Sequence, residues 1–280
     1  MKGKMVEANG IRINVYIEGQ GPDVILLHGF PDSALVWRFQ IPALVQAGYR
    51  VIVPDLRGSG DSEAPIGKAC YKLDMLIRDV VCLMDSLEIR KAKLVGHDWG
   101  AILGWFIAIE HPDRVDRYVA ISVGHPVSFE RGGFEQKVRS WYALTFQMPV
   151  LPEVMIMSFN WTLMRLFTQN HPEIINWIND KGRPGRLTAG INWYRANAMR
   201  MLFGRTGHAK VPVLGIWSDR DLYLTENQMK TSALYMDASW KYERIENASH
   251  WLQLDVPEHL SRILIEYFCQ PLEGRLTTSR

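Results

Sequence analysis

Five short stretches constrain the fold of this chain more than anything else in it: "DVILLHG" (23–29), "YRVIVPD" (49–55), "AKLVGH" (92–97), "RYVAISV" (117–123) and "VPVLGIW" (211–217). A strand with one wet face alternates apolar and polar residues, whereas a nearly continuous apolar run must be covered on both faces. Between the runs lie segments of helical spacing. "SALVWRFQIPALVQAG" sets Leu35, Val36, Phe39, Leu44 and Val45 at helical intervals and stops at Gly48. Tyr71–Leu87 and "WGAILGWFIAIEHP" repeat the pattern. Buried strands alternating with helices predict an α/β fold, a mostly parallel central sheet with helices on both faces. At the start, "MVEANGIRINVYIEG" predicts a hairpin around Asn9-Gly10, a favoured two-residue turn.

The alternation stops near Pro126. From there to about Gly207 the sequence reads as helical and rich in Trp, Met and Phe, and the strand–helix pattern then resumes. The second part continues with helix "TENQMKTSALYM", strand "WKYERIE" and helix "VPEHLSRILIEYF". The predicted organisation is a core from 1–125, an inserted helical lid from 126–207, and the rest of the core from 208–280, with the terminal "EGRLTTSR" frayed. A chain of 280 residues suits one sizeable domain with such an insertion.

With a net charge of +2 and no long Lys/Arg run, nothing favours a nucleic-acid partner. The scattered Cys70, Cys82 and Cys269 lack paired metal spacing and read as reduced thiols. "MKGKMVEANGIRINVY" has no apolar signal core, and no apolar run approaches the ~20 residues of a membrane span, so a cytoplasmic location is the expectation. "RGSGDSE" has the glycines of a nucleotide loop but not the third one, and reads as structural. Neither cofactor nor metal is expected, and oligomeric state is left open.

Gly96-His97-Asp98-Trp99-Gly100 lies between a buried strand and a helix, the setting of a nucleophile elbow with Asp98 where a serine is usual. Slim neighbours let the central residue take a strained backbone, and the helix N-terminus favours negative charge there. The competing reading makes Asp98 a simple helix cap. A carboxylate is ionised at neutral pH and suits displacement at an sp3 carbon. The ester so formed then needs water activated by a base, a histidine held by a second acid. In chain order, "SDRD" after "VPVLGIW" supplies Asp219 or Asp221, and "ENASHWLQLDVPEHL" places His250 on a loop after the last strand. His111 and His259 fall in helical contexts and read as structural.

"HGFPDSALVWRFQIPAL", "DLRGSGDS", "VGHDWGA" and the late "HW" occur in the order seen in α/β-hydrolases of the epoxide hydrolase branch, and the chain resembles that branch over roughly Ile11 to Phe268. The resemblance implies Asp221 as the acid, although Ser218 stands where the pattern has glycine. It also implies that the backbone N–H groups of Phe30 and Trp99 form an oxyanion hole, with Pro31 in a cis-like turn. Two lid tyrosines in that branch face the epoxide oxygen, and the similar segments here, "SWYALTFQMP" and "INWYRANAMR", give Tyr142 and Tyr194. The implied substrates are a small apolar epoxide and water, and the product is a diol.

The nearest alternative is a haloalkane or haloacid dehalogenase using the same aspartate. Trp99 suits halide binding. Against it, haloalkane dehalogenases have Asn where Phe30 stands, and fluoroacetate dehalogenases have Arg where Trp99 stands. A non-catalytic receptor on the same fold is disfavoured by intact candidates for every catalytic role.

Overall fold

The computed structural model describes residues 2–203 and 206–271; the terminal "EGRLTTSR" lies outside them. Eight strands form one sheet: β1 (Lys4–Ala8), β2 (Ile11–Glu18), β3 (Asp23–Leu27), β4 (Arg50–Pro54), β5 (Ala92–His97), β6 (Val115–Ile121), β7 (Val213–Ser218) and β8 (Trp240–Ile245). Their spatial order is β1-β2-β4-β3-β5-β6-β7-β8, with β1 and β2 antiparallel to their neighbours and every pairing from β4 onward parallel. The predicted mostly parallel sheet is borne out. The opening hairpin turns at Asn9 (φ 49°) and Gly10 (φ 75°), both left-handed as a tight two-residue turn requires.

Each central strand is buried on both sides. In β3, Val24 and Leu26 join the core on one face, while Ile25 and Leu27 join the core on the other. The covering helices are α1 (Gln40–Gln46), α2 (Leu73–Ser86) and α3 (Trp99–Glu110) in the first part of the chain. The expected helix from Ser33 to Ala47 divides into a 3-10 turn, Ala34–Trp37, and α1. Pro42 explains the break: its ring would strike the carbonyl four residues back, so it is tolerated only in a helix's first turn.

Between β6 and β7 run α4 (Pro126–Glu130), α5 (Gly133–Arg139), α6 (Trp141–Thr145), α7 (Leu151–Phe167), α8 (Ile174–Lys181) and α9 (Arg186–Phe203). Helix α7 is broken at Ser158–Trp161, where Phe159, Asn160 and Trp161 are all left-handed. This insertion docks on both cores. Ala189 and Trp193 join one, and Phe146, Ile156, Trp177 and Ile191 join the other. Polar ties add register: Lys181 Nζ donates to Ser59 Oγ (3.1 Å), Arg183 to the Gly60 carbonyl (2.7 Å), and Arg38 pairs with Glu173 (2.7 Å). Helices α10 (Glu226–Lys230), α11 (Leu252–Asp255) and α12 (Pro257–Cys269) complete the chain.

The order of the sheet decides where chemistry can sit. After β3 the chain steps to β4 on one side and later returns to β5 on the other, so the loops leaving β3 and β5 diverge and open a crevice at the strands' carboxyl ends. Loops after β7 and β8 emerge at the same end of the parallel strands.

Candidate active site

The turn after β5 is strained in the manner its glycines foretell. Asp98 has φ 52° and ψ −120°, a conformation that a non-glycine residue holds only when its surroundings enforce it. A Cβ on Gly96 would meet the Gly100 carbonyl, and one on Gly100 would meet that of Leu27. The elbow therefore closes only with bare backbone at both positions. Asp98 occupies the cap position of α3, but its side chain does not cap that helix. Instead Oδ1 accepts from the backbone N–H of Phe30 at 2.8 Å. The Phe30–Pro31 peptide bond is cis.

Burial raises the Asp98 carboxyl above its ordinary range; His250 and the N–H groups of Phe30 and Trp99 pull it back. An anion stripped of water and held by two amides has little hydration left to shed when it attacks. His250, on the loop after β8, stands with Nε2 3.8 Å from Asp98 Oδ2 and Nδ1 2.8 Å from Asp221 Oδ2. Asp221, not Asp219, is thus the carboxylate on His250. Its other oxygen accepts from the N–H groups of Tyr223 (2.8 Å) and Leu224 (3.0 Å), which fix its plane. Burial depresses the imidazole, but the charges of Asp221, Asp98 and Asp32 outweigh it and hold His250 above the usual imidazole range. With Nδ1–H donated to Asp221, the Nε2 lone pair faces Asp98, close enough for Nε2 to take a proton from a water placed beside the carboxyl.

Tyr142 in α6 and Tyr194 in α9 hang over this group, their rings 5.9 Å apart and edge to face. Tyr194 also meets Trp99 (5.1 Å) and Phe30 (5.9 Å) edge-on. Burial, reinforced by the charge of Asp98, pushes both phenols well above their ordinary range. Each therefore stays protonated and keeps a proton to donate at any ordinary pH. The seven residues singled out from the sequence, Phe30, Asp98, Trp99, Tyr142, Tyr194, Asp221 and His250, thus converge on one place.

A second layer escaped the sequence reading. Asp32 is buried and accepts from the indole N–H groups of Trp177 (2.7 Å) and Trp251 (3.2 Å). Burial, with Asp98 nearby, pushes its carboxyl up to about 7 despite those two donors and His250. His97 donates from Nε2 to the His250 carbonyl at 2.8 Å, which turns its Nδ1 toward Asp32 Oδ2 at 4.0 Å. Burial keeps His97 neutral by lowering it well below the usual imidazole range. Tyr223 packs its ring on both His250 (5.1 Å) and Tyr142 (5.7 Å), and its hydroxyl donates to the Phe167 carbonyl in α7. The available signal was polar residues at strand exits, Asp32 straight after Pro31 and His97 just before Asp98.

The cavity bends at Asp98. One arm, about 50 Å3, runs past Phe146, Ile156 and Phe167; the other, about 330 Å3, runs past Ile102, Ala143 and Ala198, and both are bounded by Asp98, Tyr142 and Tyr194. No group of three or more His, Cys, Asp or Glu among the described residues is arranged to hold a metal.

Comparison with known proteins assigns the fold and the family. The family model described as "alpha/beta hydrolase fold" matches residues 22–257. The AB hydrolase superfamily protein YfhM of Bacillus subtilis is 31% identical over 95% of this chain and 98% of its own length. Epoxide hydrolase 4 of Homo sapiens is 31% identical over 92% of this chain and 76% of its own. Among solved structures, an epoxide hydrolase of Bacillus megaterium superposes with a TM-score of 0.88 at 24% identity, covering 95% of this chain and 100% of that one, a likeness of fold. Epoxide Hydrolase A of Mycobacterium thermoresistibile gives 0.80 at 28% identity, covering 97% and 99%. The chain belongs to the α/β-hydrolase superfamily and, within it, to the epoxide hydrolase branch.

Proposed function

We propose that this protein is an epoxide hydrolase, acting through a transient ester on Asp98 beneath a lid formed by residues 126–207. In the first step Asp98 Oδ2 attacks a ring carbon, the carbon–oxygen bond of the epoxide breaks, and its electrons pass to the ring oxygen. Tyr142 and Tyr194 donate hydrogen bonds to that oxygen, and one of them gives up its proton to the alkoxide. In the second step His250 takes a proton from water through Nε2, and the hydroxide adds to the Asp98 ester carbon. The N–H groups of Phe30 and Trp99 receive the charge on the carbonyl oxygen. Asp221 steadies the imidazolium. Collapse releases a vicinal diol carrying an oxygen from Asp98, and the proton on His250 returns the tyrosine to its neutral state.

The observation that carries this reading is the pair of half-buried phenols, held protonated, facing a buried carboxylate across one cavity. A departing halide needs no proton, whereas an alkoxide does. Substrate enters as an apolar epoxide, as the aromatic and aliphatic walls require. No helix among the described residues is long and apolar enough to cross a membrane. The test is a single turnover of styrene oxide in 18O-water, which should give a first diol free of label and leave the label in Asp98. A diol labelled from solvent in that first turnover, or halide release from bromoalkanes without diol formation, overturns the reading.

A further inference from the structure

We infer that the natural substrate is a terminal epoxide, bearing one long, uncharged apolar substituent on one ring carbon and only hydrogen on the other. The inference deepens the proposed epoxide hydrolysis and rests on it. Its basis is the inequality of the two arms that meet at Asp98.

The scale for judging them is a cavity of about 150 Å3 that accepts benzene, while a single water needs roughly 10–15 Å3. At about 50 Å3 the tight arm falls well short of a phenyl ring. Its walls do not yield easily. Phe146, Ile156 and Met164 are buried at 4%, 2% and 2% exposure, and Phe146 packs edge-on against Phe30, Tyr142 and Tyr194. Phe167 is stacked against Trp141 and tied through its carbonyl to Tyr223. A propyl or phenyl group there would have to move side chains that are already interlocked.

The wide arm, about 330 Å3, exceeds twice the benzene-sized cavity. Its inner walls, including Ile102, Val123, Ala143, Ala198 and Leu224, carry no charge, and two of them are alanines, so it accepts a chain by burial rather than by specific bonds. Glu130 and Lys137 line it with opposite signs, which gives no net attraction for a charged chain end. Since both arms share Asp98, Tyr142 and Tyr194, the reacting ring sits at their junction with its carbons facing unequal spaces.

The experiment compares two isomers on the purified protein, 1,2-epoxyoctane and trans-4,5-epoxyoctane, with propylene oxide as a small reference. The expected result is a kcat/KM for the terminal isomer at least about tenfold above the internal one, the discrimination that a pocket too small by a few methylenes provides. Ile156→Ala, which widens the tight arm, should narrow that ratio by raising turnover of the internal isomer. Ala198→Phe, which fills the wide arm, should narrow it from the other side. Equal rates for the two isomers, or an internal preference, overturn the inference and leave epoxide hydrolysis standing. An unchanged ratio in a folded, active Ile156→Ala also overturns it. Failure to hydrolyse any of the three compounds overturns the epoxide reading on which it rests.

Discussion

At the scale of single residues, the site works by fixing the state of the groups that must not titrate. The phenols are pushed up by burial and stay protonated, and His97 is pushed down and stays neutral. His250 is the group that must change state in the second step, and Asp32, pushed up to about 7, lies close to titration as well. Held above the ordinary imidazole range, His250 is protonated and inert as a base at low pH and becomes competent as pH rises through its own value. Hydrolysis of the ester should therefore fall on the acid side, where His250 is protonated and cannot take a proton from water. Asp221→Asn removes the carboxylate bonded to Nδ1 that holds it up, so the acid limb of the single-turnover hydrolysis rate should move to lower pH; an unmoved limb would take Asp221 out of that role. His250→Gln should stop the reaction at the ester, seen as protein mass raised by that of the epoxide. Tyr194→Phe leaves one phenol and should slow formation of the ester about tenfold or more, with hydrolysis of the ester little changed in rapid-quench measurements.

At the scale of elements, the readable parts of the sequence were those whose local chemistry has one solution. Asn9-Gly10 admits a tight hairpin turn, the continuous apolar runs admit only strands covered on both faces, and Gly96 and Gly100 bracket an elbow that no side chain could pass. Gly100→Ala should accordingly cost about 2–4 kcal/mol, through overpacking against the backbone of β3, read as a lowered denaturant midpoint. The inserted segment was legible as helical but not in its detail. Several of its helices span only one or two turns, too short for a period to declare itself, and "LPEVMIMSFNW" is apolar on both its inner and outer faces. Nothing in that composition marks the left-handed run at Phe159–Trp161 that breaks α7. Asp32 and His97 were missed for a related reason. Their importance lies in contacts with residues more than 140 positions away, Trp177 for Asp32 and His250 for His97, and no local pattern encodes that separation.

At the scale of the whole molecule, the insertion is not an independent body resting on the core. Its tryptophans and aliphatic residues belong to the same two clusters that cover the sheet, and Arg183 donates to the Gly60 carbonyl at 2.7 Å while Glu173 pairs with Arg38 at 2.7 Å. Thermal unfolding should then be one cooperative transition, with circular dichroism and near-ultraviolet signals coincident. Two separated transitions would mean that the lid melts by itself. Asp98, His250 and the pair Asp219 and Asp221 were legible because the fold brings strand ends together at its crevice, so the elbow motif and chain order located the nucleophile, base and acid candidates, while Phe30 and Trp99 came from resemblance. The two lid tyrosines came from resemblance rather than from order.

One consequence follows from the indole rings beside the reacting groups. Trp251 lies 5.2 Å from the His250 ring and Trp99 lies 5.1 Å from that of Tyr194, so each stands against a partner whose protonation or bonding changes during turnover. The protein thereby contains its own optical gauge. Mixing with substrate in a stopped-flow instrument should alter ultraviolet emission as the ester forms and restore it as the diol departs, with no dye or coupled enzyme. A trace that stays flat while product accumulates would show that these rings do not sense the chemistry next to them.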